Sequence, residues 1–325
     1  MRTLPLFHTP LHLPPASRQL RLCMGFAAAL VITLFAIQQS IAAERSVVDA
    51  RGREVTIASA DRIVSIGGAV TEILYALGAG DRVVARDQTS LYPPEALQKP
   101  DVGYMRALSA ESVLSVKPDL ILAVEGSGPK EALDLLLSAS VPVVMLPEPY
   151  SAEGIAKKIA LIGAVIGEEE KSKALAAEVT RRADALAAAI AAIPADKRKR
   201  AIFLMSSSGD RLLAAGGHTA ANAMLTAAGA VNPFGTVEGY KPASPEAMAA
   251  AMPESVVMMT RPGMEGADPA ALFAIPALAA TPAAASKSLI VMDGLYLLGF
   301  GPRMPDAAAD LARALYPGLA IGSAR

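Results

Sequence analysis

Cysteine, tryptophan and histidine are nearly missing from these 325 residues: one cysteine, no tryptophan and three histidines. Aromatic residues make up only 4%, which argues against a sugar-stacking cleft or an aromatic cage. Cys23, His8 and His12 all fall within the first 43 residues. Everything after them therefore lacks a disulfide, a thiolate metal site and a cysteine nucleophile. The one remaining histidine, His218, cannot build a multi-histidine zinc or copper cage. A Ser-His-Asp triad would have to use it. The formal net charge is −1, with no basic stripe, which disfavours nucleic-acid binding. Apolar residues at 53% against charged residues at 19% describe a folded chain, not a disordered one.

Residues 1–43 read as an export signal. Arg18 and Arg21 form a positive region, Met24–Ile37 an apolar run, and Ser40-Ile41-Ala42 a small-x-small cleavage signal. The apolar run is short for a membrane span and has no stop-transfer pattern behind it. Cys23 precedes it and so cannot be a lipoprotein cysteine. The expectation is a chain exported to the periplasm, carrying 27 basic and 31 acidic residues once the leader is gone.

Past residue 60, short apolar runs alternate with helical segments. Strands are expected at Ile63–Ile66, Arg82–Ala85, Asp119–Val124 and Val141–Leu146, with helices at 69–77, 109–116 and 129–139. Runs rich in Val, Ile and Leu suit buried parallel strands. A strand-free stretch follows, with helices at 152–166 and 168–193, the second stopped by Pro194. Strands then resume near 201–205, 211–214, 255–259 and 289–292, with helices near 219–228, 244–251 and 306–315. The fold class is α/β: two Rossmann-like lobes with parallel-rich sheets, joined by one long rigid helix. The expected boundaries are a lobe over 44–165, the linking helix over 166–195 and a second lobe over 196–325. Such lobes place a ligand between them at the carboxyl ends of the strands. A single rigid link implies limited hinge closure.

Nucleotide signals fail. Gly126-Ser127-Gly128-Pro129-Lys130 lacks the phosphate-loop spacing, and Gly299-Phe300-Gly301 is a lone Gly-x-Gly near the end of the chain. The segment Asp101-Val-Gly-Tyr-Met-Arg-Ala-Leu-Ser109 carries more. Tyr104 and Arg106 are two apart in an expected loop, so both side chains would point the same way. A guanidinium beside a phenol favours phenolate, and ferric iron favours it more. Phenolate is one of the axial ligands of haem iron. A loop tyrosine is, as a type, more often a packed or hydrogen-bonding residue, and spacing alone leaves both readings open.

The chain resembles the periplasmic haem-binding proteins of bacterial ABC haem importers, within the two-lobed substrate-binding proteins that have one linking helix. Arg62-Ile-Val-Ser-Ile-Gly-Gly, Thr71-Glu-Ile-Leu-Tyr-Ala-Leu-Gly and Lys117-Pro-Asp-Leu-Ile-Leu-Ala resemble the wider group. Val102-Gly-Tyr-Met-Arg-Ala-Leu-Ser-Ala-Glu and Leu298-Gly-Phe-Gly-Pro-Arg303 resemble the haem subgroup. The resemblance implies that Tyr104 is the axial ligand of one ferric haem b, and that Arg106 supports the phenolate or meets a propionate. It implies docking to an ABC permease and its ATPase through one exposed glutamate per lobe, Glu72 and Glu246. In one departure, some members have a histidine where this chain reads Ser206-Ser207-Ser208. His218 is then the candidate second iron contact. Tyr240 and Lys241 are candidates to reach the cleft from a loop of the second lobe, with Lys241 meeting a propionate. Met105 is expected near the macrocycle face, and Arg303 is expected to hold the last loop against the second lobe. Binding without catalysis is the reading. The rivals are a corrinoid or ferric-siderophore carrier on the same scaffold, an exported hydrolase using His218 or a serine, and a purely structural protein.

Overall fold

The computed structural model describes residues 44–208, 211–261, 263 and 267–321. The expected leader, with Arg18, Arg21, Cys23 and the Ser40–Ala42 cleavage signal, lies outside them. The described part begins with an antiparallel hairpin, β1 (Arg45–Val48) and β2 (Glu54–Ile57). Buried Asp49 ties its turn by accepting from the Arg51 and Arg53 backbone N–H groups and the Arg53 guanidinium.

The first lobe runs β3 (Ile63–Ile66), α1 (Gly68–Ala76), β4 (Val83–Arg86), α2 (Ala110–Ser115), β5 (Leu120–Val124), α3 (Lys130–Ser138) and β6 (Val143–Leu146). Its sheet is wholly parallel, in the order β4-β3-β5-β6. Every residue of β3, β5 and β6 is buried. Covering on both faces is why these strands read as unbroken apolar runs. Each large aliphatic side chain buried here contributes about 1.5–3 kcal/mol.

Two helices form a hairpin, α4 (Ala152–Ile166) and α5 (Glu169–Ala191), turning on Gly167 at φ 74°. Arg82 pins that turn by donating to the Ile166 carbonyl at 2.9 Å and to Glu168 at 2.9 Å. At 1.5 Å per residue, α5 is about 35 Å long.

The second lobe contains β7 (Ala201–Ser208), β8 (Arg211–Ala215), α6 (Ala220–Ala227), β9 (Tyr240–Ala243), α7 (Pro245–Ala251) and β10 (Ser255–Thr260). Three short helices follow, α8 (Pro269–Phe273), α9 (Pro276–Ala279) and α10 (Pro282–Ser286), then β11 (Leu289–Asp293), α11 (Gly294–Leu298) and α12 (Met304–Leu315). The sheet order is β11-β10-β7-β8-β9. The first three strands are parallel, and β8 and β9 add an antiparallel edge. Arg182 of α5 donates to Asp306 at 2.6 Å and to the Pro302 carbonyl at 3.1 Å, fastening the long helix to the start of α12. The architecture is the expected two-lobed α/β fold. Among the described residues, no helix is long and apolar enough to cross a membrane.

Candidate ligand cleft

The carboxyl ends of the first lobe's strands carry the polar loops. Asp87, just past β4, is fully buried. It accepts from the Gly67 and Thr89 N–H groups and from the hydroxyls of Thr89 and Ser90. Ser90 in turn bonds Thr71, and Thr71 bonds Ser65. This satisfied network makes a rigid floor, as buried polar groups require.

The Tyr104 loop is fastened to that floor. Asp101 bridges Arg86 beside β4, and the Val102 N–H donates to the Arg86 carbonyl at 3.0 Å. The Gly103 carbonyl accepts from Gln88, and Gly103 sits at φ 102°, a conformation open to glycine. The Ala107 N–H closes a turn on the Tyr104 carbonyl at 2.7 Å, and Met105 and Leu108 exchange bonds with Gly128. Tyr104 and Arg106 both emerge exposed while Met105 between them is buried. Both side chains are thus open to solvent on a tight turn, not on the extended loop that was expected. Met105 was expected near the macrocycle. It turns inward instead, its sulfur 3.9 Å from the Thr89 hydroxyl.

The Arg106 charge acts on the hydroxyl of Tyr240, already a candidate, and on two groups that the sequence alone did not mark, Glu148 and Tyr150. Glu148 and Tyr150 follow β6, so the rule placing sites at strand carboxyl ends was the signal that could have found them. Burial pushes the Glu148 carboxyl above the usual carboxylate range, against the pull of Lys158 and Arg106. Burial, then Glu148, pushes the Tyr150 phenol up. Burial, then Tyr150, does the same for Tyr240. Beneath them Lys158 of α4 has no side-chain exposure, and its Nζ lies 3.6 Å from Glu148 with no hydrogen-bond partner. Burial pushes its ammonium pKa down. Tyr150 also meets Phe300 of the second lobe edge-on at 5.3 Å.

The second lobe supplies Tyr240, which packs edge-on against Phe203 at 6.5 Å. It lies in the edge strand β9, not in a loop as expected. Lys241 is exposed and, as the next residue in a strand, projects from the opposite face. The two do not form a joint cradle. His218 is exposed at φ 54°, one residue before Thr219, which caps α6. Its loop is bonded to the segment leading into Tyr240, through Gly216 to Gly239 and Gly217 to Val237. Ser206 pairs in register with Leu213 in β7 and β8. Among the described residues, no three His, Cys, Asp or Glu groups converge to hold a metal.

Two further expectations are corrected. Glu72 is not exposed: at 5% exposure it accepts from the Arg303 N–H at 3.1 Å and the Arg303 guanidinium at 2.9 Å. Arg303 thus ties its loop to the first lobe, not to the second. The reason is tertiary, since 231 residues separate the partners. Glu246 is exposed, and its own N–H, with the Ser244 hydroxyl, holds its carboxyl below the usual range. Glu111 has the same local setting. Both are exposed acids in the first turn of a short helix capped by a serine, Ser109 for α2 and Ser244 for α7.

Residues 63–295, two strand-helix-strand lobes and the helical hairpin between them, match the model of a single family, described as periplasmic binding protein. The chain belongs to the periplasmic binding proteins. The family is one of binding proteins. A solved member, the periplasmic haem-binding protein BhuT in complex with two haems, is 38% identical, with a TM-score of 0.75. That match covers 80% of this chain and 99% of BhuT. An ABC transporter substrate-binding lipoprotein of Bacillus subtilis, YvrC, is 28% identical over 83% of this chain and 84% of its own length. The vitamin B12-binding protein of Photorhabdus laumondii is 30% identical over 37% of this chain and 44% of its own length.

Proposed function

We propose that this periplasmic binding protein carries ferric haem in the cleft between its lobes and delivers it to an ABC permease and its ATPase. The observation that carries the reading is the exposure of both Tyr104 and Arg106 on one turn bonded to the sheet. It stands in a chain alike over most of its length to a haem-binding protein. The macrocycle supplies four nitrogens, so the protein needs only an axial ligand, and a single tyrosine is enough. A hard anionic oxygen favours the ferric state. Arg106, exposed on the same turn, is the proposed partner of a propionate or the phenolate. Tyr150 and Tyr240, drawn together through Arg106, are the flanking wall. One haem through Tyr104 is the stoichiometry proposed, with His218 beside the Tyr240 segment as the candidate for any second contact.

Absorbance titration of the leaderless protein tests this. Ferric haem should give a saturable Soret shift at one equivalent; two equivalents would point to His218 or a stacked pair. The match to a vitamin B12-binding protein favours a corrinoid as the second reading. Saturable binding of cyanocobalamin, with none of haem, would establish it in place of haem.

Docking is proposed through Glu111 and Glu246, one capped turn on each lobe. Replacing both by glutamine should leave the haem titration unchanged. Uptake by a reconstituted permease should fall about ten-fold or more, in line with loss of charge pairs at a docking rim. Normal uptake by the double variant would remove this pair.

A further inference from the structure

The Leu298–Arg303 segment resembles the haem subgroup, and it reaches Glu72, Tyr92 and Tyr150 of the first lobe. Leu295, one turn before it, lies against Gly68 and Thr89: a Cβ on Gly68 would come within 2.6 Å of the Thr89 carbonyl and closer still to Leu295. Phe300 is buried at φ 48°, where a non-glycine residue is strained, and meets Tyr150. A Cβ on Gly301 would sit 3.2 Å from the Glu72 carboxyl carbon, so the loop approaches that carboxylate closely. Arg303 then grips Glu72 with both backbone and side chain. Its guanidinium also lies 3.5 Å over the ring of Tyr92. On the other side Pro302 is bonded to Arg182 of α5.

We infer that this loop and Glu72 form a clasp that holds the lobes at the angle seen here. Opening of the clasp, not bending of α5, is the step that lets the ligand leave. The second statement rests on the carrier reading; the first does not. A paired charge with 6% exposure on one partner and 26% on the other is costly to separate. Opening would also draw buried Phe300 off Tyr150, so ion pair and ring contact separate together at the clasp. A recess of about 280 Å³, lined by Leu91, Tyr92, Asp293, Leu295, Tyr296 and Arg303, adjoins it. Tyr150 links the two sites: it lines the cleft on one side and touches Phe300 on the other. Arg303 and Glu72 are positioning residues, acting on the ligand only through the lobes.

Absence of cysteine after Cys23 makes the test clean. Cysteines at exposed Leu135 on α3 and Ala285 on α10 take nitroxide labels, and pulsed dipolar spectroscopy reads the distance between lobes. In the ligand-free Arg303→Gln variant the distribution should broaden and lengthen. Transfer of ferric haem to apomyoglobin should speed up about ten-fold, as expected when a retained state loses a buried charge pair. Arg303→Lys should recover part of both effects, since lysine keeps the charge and loses the fork. A folded Arg303→Gln protein with the parental distribution overturns the clasp, whether or not haem binds. A longer distribution with unchanged haem transfer overturns the release step alone. If the parent takes up no haem, the carrier reading fails and the distances still judge the clasp. Should Arg303→Gln not fold, Tyr92→Leu removes only the stacking face at the exposed rim and is held to the same outcomes.

Discussion

Tyr104→Phe should weaken ferric haem binding about 100-fold, a loss of about 2.7 kcal/mol, while leaving the melting temperature unchanged. Tyr104 is 40% exposed, and its side chain takes no part in the bonds that hold the loop, which are made by the backbone and by the Asp101 carboxylate. Phenylalanine keeps that backbone and removes only the oxygen. The absorbance titration gives the affinity. The phenolate-to-iron charge-transfer band, present in the parent and missing in the variant, assigns the ligand. Arg106→Ala should weaken binding less and keep that band, because it changes the surroundings of the oxygen and not the oxygen. Equal affinity of Tyr104→Phe and parent would remove Tyr104 from the iron.

The second large effect is on stability. Lys158→Met should destabilise the protein by about 1–3 kcal/mol at pH 8, less than the full cost of orphaning a buried ion, because Glu148 keeps 27% side-chain exposure. The deficit should shrink as the solution is acidified. Burial raises the folded-state pKa of Glu148, and loss of Lys158 raises it further. Charged Glu148 is therefore penalised in the folded state at high pH. As pH falls through the raised folded value toward the unfolded one, proton uptake by the folded state restores stability. Denaturant melts of parent and variant at pH 8 and pH 5 read the difference. A double variant, Lys158→Met with Glu148→Gln, should recover most of the loss at pH 8, since no lone charge is left. A Lys158→Met deficit that is the same at both pH values would show that the pair is not electrostatic.

The first lobe was legible because its physics is local. Ile63–Ile66 and Leu120–Val124 are buried at every position, and such runs announce themselves. The edges were not legible. β1 alternates half-buried and exposed residues, with Val48 at 65% exposure. β9 carries Pro242, tolerated because the strand lies at the sheet edge. The loop carrying Tyr104 and Arg106 could be read in advance because Gly103 before it and the Ser109 cap after it are local signals. Glu72 and Lys158 could not. An acid in a first helical turn looks like dipole compensation, and a lysine beside Lys157 looks like another surface charge. Lys157 does pair with Glu153 at the surface, while its neighbour faces inward. Only the arrival of Arg303 from far along the chain, or of Glu148 from the end of β6, distinguishes the buried group from the exposed one.

The two serine-capped turns carrying Glu111 and Glu246 belong to helices of six and seven residues, and neither acid forms an ion pair among the described residues. Changes at either position leave the cleft loops and the buried networks untouched. On the docking and haem readings proposed above, partner choice and cargo choice are mutationally separable: single surface substitutions would re-pair the protein with a different membrane complex without retuning what it holds.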